Sequence, residues 1–145
     1  MIRKRWSKAG LALVLGGGLA GAIPGLAAVG QSSPPSSPVI LRSTARILDR
    51  GAVAKPSAYV VCQAGDVAQL SITLTEAVRR SLASGSGFVN SFVCTGQIET
   101  ITVPVVASLP GKPFVKGRAF GQAVVYDFFN GAQGSSSRTV TLTTK

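Results

Sequence analysis

Histidine is absent from the 145 residues, and the chain has only five acidic side chains. Without histidine, the chain cannot form Ser–His or Cys–His nucleophilic sites, and it lacks the usual nitrogen ligand of zinc and copper sites. A glycosidase needs two carboxylates that face one bond, and the five acids are isolated in sequence. Two of them could still converge in space, but we expect each at a turn or on the surface: Asp49, Asp66, Glu76, Glu99 and Asp127. We therefore predict that the protein is not an enzyme and has no catalytic residues, no metal site and no cofactor.

Cysteine is also scarce, because the chain contains only Cys62 and Cys94. A redox pair normally has Cys-x-x-Cys spacing, and a zinc site needs more ligands than two distant cysteines supply. In an exported chain, two cysteines most simply form one disulfide. This bridge would close a loop of 32 residues and stabilise the fold by roughly 3–4 kcal/mol.

The single tryptophan, Trp6, lies near the N-terminus, so the rest of the chain lacks the tryptophan platform common in carbohydrate-binding modules. Four other aromatic residues, namely Phe114, Tyr126, Phe128 and Phe129, could form an exposed patch. The alternative is that most of them lie in the core or close an end of the fold.

The first 30 residues have the order of a secretory signal peptide. Arg3, Lys4, Arg5 and Lys8 precede the uncharged run 9–30, which ends in small residues, and cleavage after Ala27 or Gly30 fits. The alternative is an uncleaved membrane anchor, but the seven glycines and Pro24 in this run weaken a helix. Residues 31–38 are rich in proline and serine and predict an extended linker. We therefore expect a secreted protein, either free outside the cell or associated with the cell envelope, whose domain spans residues 39–145.

Alternating apolar and polar residues dominate residues 39–145, most regularly at 67–75. Breaks are predicted at Lys55–Ser57 and at Ser84–Gly87, Pro104 should lie at an edge or bulge, and 130–137 should be flexible. Residues 76–82 fit a strand end and turn better than a helix. About seven strands at roughly ten-residue spacing predict an all-β, antiparallel, immunoglobulin-like sandwich, preceded by the signal-peptide helix and the linker.

Several stretches resemble the small secreted immunoglobulin-like proteins of unassigned function found in high-GC Gram-positive bacteria. They are Val67–Thr75, Ala83–Gly87, Cys94–Gly96, Thr100–Val103 and Phe114–Gly117 before an alanine-rich strand. The resemblance implies a fold and export, and it implies no activity. Related chains often carry a second cysteine pair after that strand, which Tyr126–Asn130 here lacks.

Charge gives the remaining clue to function, since residues 31–145 contain 11 cations and 5 acids, a net charge of +6. Scattered cations would only keep the surface soluble, whereas one basic face would indicate an anionic partner. The pattern lacks the clusters of cations with interleaved aromatics expected for nucleic-acid binding. We predict a non-enzymatic binding module for an extracellular or envelope partner, with membrane contact only through an uncleaved signal segment and no prediction of oligomeric state. Alternatives are an envelope assembly protein that pairs strand edges, or a secreted inhibitor that uses the loop Ser108–Pro113 with Lys112.

Overall fold

The computed structural model describes residues 36–145, all in one compact unit. The predicted signal peptide and residues 31–35 of the predicted linker lie outside the described residues. Eight strands follow one another in this part of the chain: β1 Val39–Leu48, β2 Val53–Val60, β3 Val67–Val78, β4 Ser81–Val93, β5 Glu99–Thr102, β6 Val105–Ala107, β7 Gly117–Asp127 and β8 Gln133–Thr143. A short 3-10 turn, Asp49–Gly51, joins β1 to β2. Within residues 36–145, no helix is long and apolar enough to cross a membrane.

The strands form one sheet that closes on itself as a mixed barrel. Around the barrel, the order is β1, β8, β7, β3, β4, β6 and β2, and β2 pairs with β1 to complete the circle. Strand β5 also pairs with β2, so β5 and β6 occupy one position, separated at Pro104. All neighbours are antiparallel except β1 and β8, which pair in parallel through Thr44–Arg46.

The predicted all-β class is confirmed, but the prediction of an antiparallel immunoglobulin-like sandwich is wrong. The physical reason is that β1 forms backbone hydrogen bonds with two neighbouring strands, β2 and β8. A register shift between Leu41 and Ala45 bends β1, so that it pairs with β2 on one side and with β8 on the other. Alternation in the sequence predicts which residues face inward, and it does not reveal whether the first and last strands meet.

Two glycines explain how β4 closes against β6. The sequence predicted a break at Ser84–Gly87, yet β4 runs straight through it. Gly85 and Gly87 both face inward, and a side chain at either position would collide with the backbone carbonyl of Val106 or Pro104. Gly85 and Gly87 therefore allow β4 and β6 to approach each other closely, and they do not mark a turn.

The barrel interior is filled by alternating residues from every long strand. Leu70, Ile72 and Leu74 of β3 are fully buried, and the facing residues of β7 are small or β-branched, including Ala123 and Val125. Three other features differ from the sequence prediction. Strand β2 continues through Pro56, where a break was predicted, and β8 begins at Gln133, in the region predicted to be flexible. Ser37, in the predicted linker, is buried. The predicted turn after β3 is confirmed, because β3 ends at Val78.

Candidate functional site: the basic end of the barrel

The strand register divides the barrel into two ends. One end contains the β3–β4 turn, the 3-10 turn and the starts of β2 and β7; we call it the basic end. The other contains Cys62, Cys94 and the β7–β8 turn, and we call it the disulfide end. Nine of the eleven cations within residues 36–145 lie at the basic end: Arg46, Arg50, Lys55, Arg79, Arg80, Lys112, Lys116, Arg118 and Lys145. Arg42 and Arg138 lie near the middle of the barrel.

All eleven cations are exposed, whereas acids hardly occur at the basic end. Asp49 lies on its surface beside Arg50, and Glu76 is only 2% exposed. Nine cations and two acids leave this end with a net charge of +7. Cations gathered at one end produce a local potential that attracts anions, and this potential is stronger than a scattered arrangement would give.

A pocket of about 600 Å³ opens at this end, between the β3–β4 turn and the loop that precedes β7. Arg79, Arg80 and Lys112 stand around it. Val78, Pro113 and Val115 supply apolar surface beside these charges. A ligand with an anionic head and an apolar part would match both features of the pocket.

Two anchors hold the loop that carries Lys112. Phe114 is buried, and its N–H donates a 2.9 Å hydrogen bond to the carbonyl of Gly51. Gly51 has a φ of +92°, and a side chain there would collide with the Phe114 carbonyl. One residue further on, the N–H of Val115 donates to Oε2 of Glu76 at 2.9 Å. The loop is therefore fixed to both β1–β2 and β3, which positions Lys112 at the pocket.

The predicted disulfide is present at the opposite end. Cys62 and Cys94 are bonded, with 5.5 Å between their Cα atoms, and both are buried. The bridge ties the end of β2 to the end of β4 and is consistent with an extracellular location. The cysteines are not part of the basic pocket.

The aromatic residues divide between the two ends. Phe114 is buried at the basic end, as the core alternative predicted. Tyr126, Phe128 and Phe129 are exposed at the disulfide end, and the rings of Tyr126 and Phe128 meet edge to face with centroids 5.4 Å apart. Tyr126 and Phe128 therefore form an exposed aromatic pair, Phe129 is exposed close to them in sequence, and Phe114 is not part of this group.

The acids do not all follow the prediction of turn or surface positions. Glu76 and Asp127 are buried. At the disulfide end, Asn130 donates hydrogen bonds to both other acids, from Nδ2 to Oδ2 of Asp66 at 3.1 Å and from its backbone N–H to Oδ1 of Asp127 at 3.4 Å. Desolvation, together with the charge of Asp127 and a hydrogen bond to it, raises the pKa of Asp66 above its ordinary value of 3.8. Sequence reasoning missed this pair because 60 residues lie between its members; only the paired ends of β3 and β7 bring them together.

Among residues 36–145, no group of three or more Cys, Asp or Glu side chains is arranged to hold a metal ion. The inhibitor loop proposed from the sequence is exposed, with Leu109 at 91%, and its Lys112 belongs to the basic pocket. In comparisons with known proteins, no family model matches the chain and no curated protein has a significantly similar sequence.

Proposed function

We propose that the chain is a secreted, non-enzymatic binding module whose basic end binds an anionic component of the cell envelope. The observation that carries this proposal is the placement of nine of eleven cations at one end of the barrel, three of them around one pocket. The sequence alone left open whether the cations were spread evenly. Their concentration at one end favours an anionic partner over a purely solubilising role.

The side chains around the pocket indicate which chemical groups the partner should have. Exposed arginines and lysine bind phosphate or carboxylate groups, and the planar guanidinium of arginine can donate two parallel hydrogen bonds to either group. The apolar residues Val78 and Val115 beside the charges suit a partner that also has acyl or other apolar carbon. An acidic lipid, or an envelope polymer that carries phosphate, has this chemistry.

Co-sedimentation with vesicles tests the proposal. The probe is phosphatidylglycerol in phosphatidylcholine, and a soluble poly(glycerol phosphate) competes in a second series. The double substitution Arg79→Gln/Arg80→Gln should weaken vesicle binding roughly 30-fold, since each cation near an anionic surface contributes about 1 kcal/mol. The matched control is Arg42→Gln/Arg138→Gln, which removes the same charge from the middle of the barrel. Equal losses in the two variants, or no binding by the unaltered chain, would reject the proposal.

The assembly alternative has less support. Pairing between copies needs free strand edges. Closure of the barrel removes many of them, and within residues 36–145 the edges without a strand partner include those of β5, of the second half of β4 and of residues 134–140 in β8. Concentration-dependent self-association in size-exclusion chromatography would favour that alternative, and it should be abolished by a charged residue at Val93, which is exposed at the β4 edge.

A further inference from the structure

The basic end exposes large apolar side chains as well as cations. Leu82, at the start of β4, is 63% exposed, and Leu109, in the loop between β6 and β7, is 91% exposed. Val106 and Val115 are exposed at the same end, and we call these four residues the apolar tip. Single exposed apolar residues are ordinary on protein surfaces, but several at one end of a fold indicate a surface that contacts a partner.

Backbone hydrogen bonds hold the two leucines of the apolar tip near each other. The N–H of Ser108 donates to the carbonyl of Ser84 in β4 at 2.7 Å, and the N–H of Gly111 donates to the carbonyl of Ser108 at 2.9 Å. The second bond closes a tight turn that contains Leu109. A side chain at Gly111 would come within 3.9 Å of the carbonyl of Leu82, so this turn lies beside the start of β4. Both leucines are therefore exposed at one fixed place.

The apolar tip adjoins the basic pocket. A second pocket, of about 190 Å³, has Val106, Leu109 and Pro113 in its wall, and Pro113 also lines the basic pocket. Arg80, at the basic pocket, precedes Leu82 by two residues in the chain. A protein binds the surface of an anionic bilayer by this combination, because cations attract the headgroups and aliphatic side chains enter the boundary of the acyl chains.

Charge distinguishes the apolar tip from the exposed apolar residues at the other end. Val93 and Ile98 at the disulfide end are at least as exposed as Leu82. That end has three acids and, among the described residues, no lysine or arginine, so an anionic surface would repel it. A soluble polyanion would contact the cations of the basic end and leave the leucines in water, without any gain from their burial.

We propose that the apolar tip inserts into an anionic lipid bilayer while the neighbouring cations bind its headgroups. This inference rests on the function proposed above, and it specifies a membrane as the anionic partner in place of a soluble polymer. The leucines would reach the boundary between headgroups and acyl chains, roughly 5–10 Å into the bilayer, and the rest of the barrel would stay in water. Buried apolar area and electrostatic attraction then both contribute to binding.

Two probes separate this inference from the proposed function. Leu82→Ser/Leu109→Ser should weaken binding to vesicles of phosphatidylglycerol in phosphatidylcholine roughly tenfold and leave binding to soluble poly(glycerol phosphate) unchanged. The matched control Val93→Ser/Ile98→Ser should change neither. Vesicle binding by the leucine variant that equals that of the unaltered chain would overturn insertion and leave the proposed function standing. If the unaltered chain binds neither probe, the proposed function is wrong and this inference fails with it.

A fluorescent label measures insertion directly. The two native cysteines are bonded to each other, so an introduced cysteine is the only free thiol in the chain. An NBD label on Leu109→Cys should emit at shorter wavelength when vesicles are added, and nitroxide lipids with the spin label near the headgroup should quench it. The same label on Ile98→Cys should stay unchanged. If vesicle-bound chain gives no response at position 109, or the same response at both positions, the apolar tip does not insert and the proposal is wrong.

Discussion

The two ends of the barrel differ far more than its walls do. The basic end has nine exposed cations, three of them around a partly apolar pocket, and the disulfide end has three acids, a disulfide and several exposed aromatic rings. Strand β3, with 12 residues, spans roughly 40 Å between them. This distance is several times the Debye length of about 8 Å at physiological salt. The charges at one end are therefore screened from those at the other, and each end should respond to substitution on its own.

The difference between the two ends would also orient the barrel at an anionic surface. A basic end that approaches an anionic surface would leave the disulfide end, with Tyr126, Phe128 and Phe129, pointing away from that surface. Substitutions at Phe114, the disulfide, Glu76 and Asp66 test whether the two ends are as independent as this arrangement requires.

The largest expected effect comes from Phe114, which anchors the loop at the basic end. Phe114→Ala should lower the free energy of unfolding by about 3–5 kcal/mol, because it leaves a cavity where a fully buried ring packed. Anion binding should weaken as well, since the loop that positions Lys112 loses its anchor. Urea denaturation and vesicle co-sedimentation measure the two effects. Phe120→Ala, at a residue that is 56% exposed, is the control and should change stability by less than about 0.5 kcal/mol.

Removal of the disulfide should affect stability almost as much and leave anion binding unchanged. Cys62→Ser/Cys94→Ser opens a loop of 32 residues, which should cost roughly 3–4 kcal/mol in urea denaturation. The double variant avoids a free thiol. Reduction of the unaltered chain should give a loss of similar size. A parallel loss of vesicle binding, measured where the variant is still folded, would show that the two ends are coupled.

A smaller effect, with opposite signs for stability and binding, is expected at Glu76. Glu76→Gln should cost about 1 kcal/mol, since a neutral amide oxygen accepts the Val115 N–H more weakly than a carboxylate does. Anion binding should increase a few-fold, because the basic end loses its one buried negative charge. Glu99→Gln removes the same charge at the disulfide end and should leave vesicle binding unchanged. Weaker binding by Glu76→Gln would mean that the hydrogen bond to the loop matters more than the charge.

The sequence predicted local features well and long-range ones poorly. Period-two alternation identified β3 and its turn, and the scarcity of cysteine pointed to the Cys62–Cys94 bridge. Closure of the barrel was missed because it depends on β1 pairing in parallel with β8, about 97 residues along the chain from Thr44 to Thr141. Inward glycines such as Gly85 were interpreted as a break, since a close approach of strands and a turn have the same sequence signal.

The candidate sites were hidden for the same reason. Arg79 and Lys112 are 33 residues apart, and no local pattern joins them to one pocket. Asp66 and Asp127 looked like surface acids because burial is set by partners on other strands. Residue composition indicated what chemistry the chain has available, and only the strand register showed where it is concentrated.

The smallest expected effect is a change in pH dependence at the disulfide end. The raised pKa of Asp66 makes the folded chain hold a proton that the unfolded chain releases. This contribution to stability is complete below the ordinary value of 3.8 and is lost as pH rises through the raised pKa. Asp66→Asn cannot titrate, and its amide can donate to the unpartnered Oδ2 of Asp127.

As pH is raised from about 3 to about 8, the Tm of Asp66→Asn should therefore fall less, or rise more, than that of the unaltered chain. Glu99→Gln should keep the slope of the unaltered chain, because Glu99 lies outside the pair. Parallel slopes for Asp66→Asn and the unaltered chain would show that the pKa of Asp66 is not raised in the folded protein. The basic end provides a further check: vesicle binding by Asp66→Asn should be unchanged at every pH, since the substituted carboxylate lies several Debye lengths from the cations of the basic end.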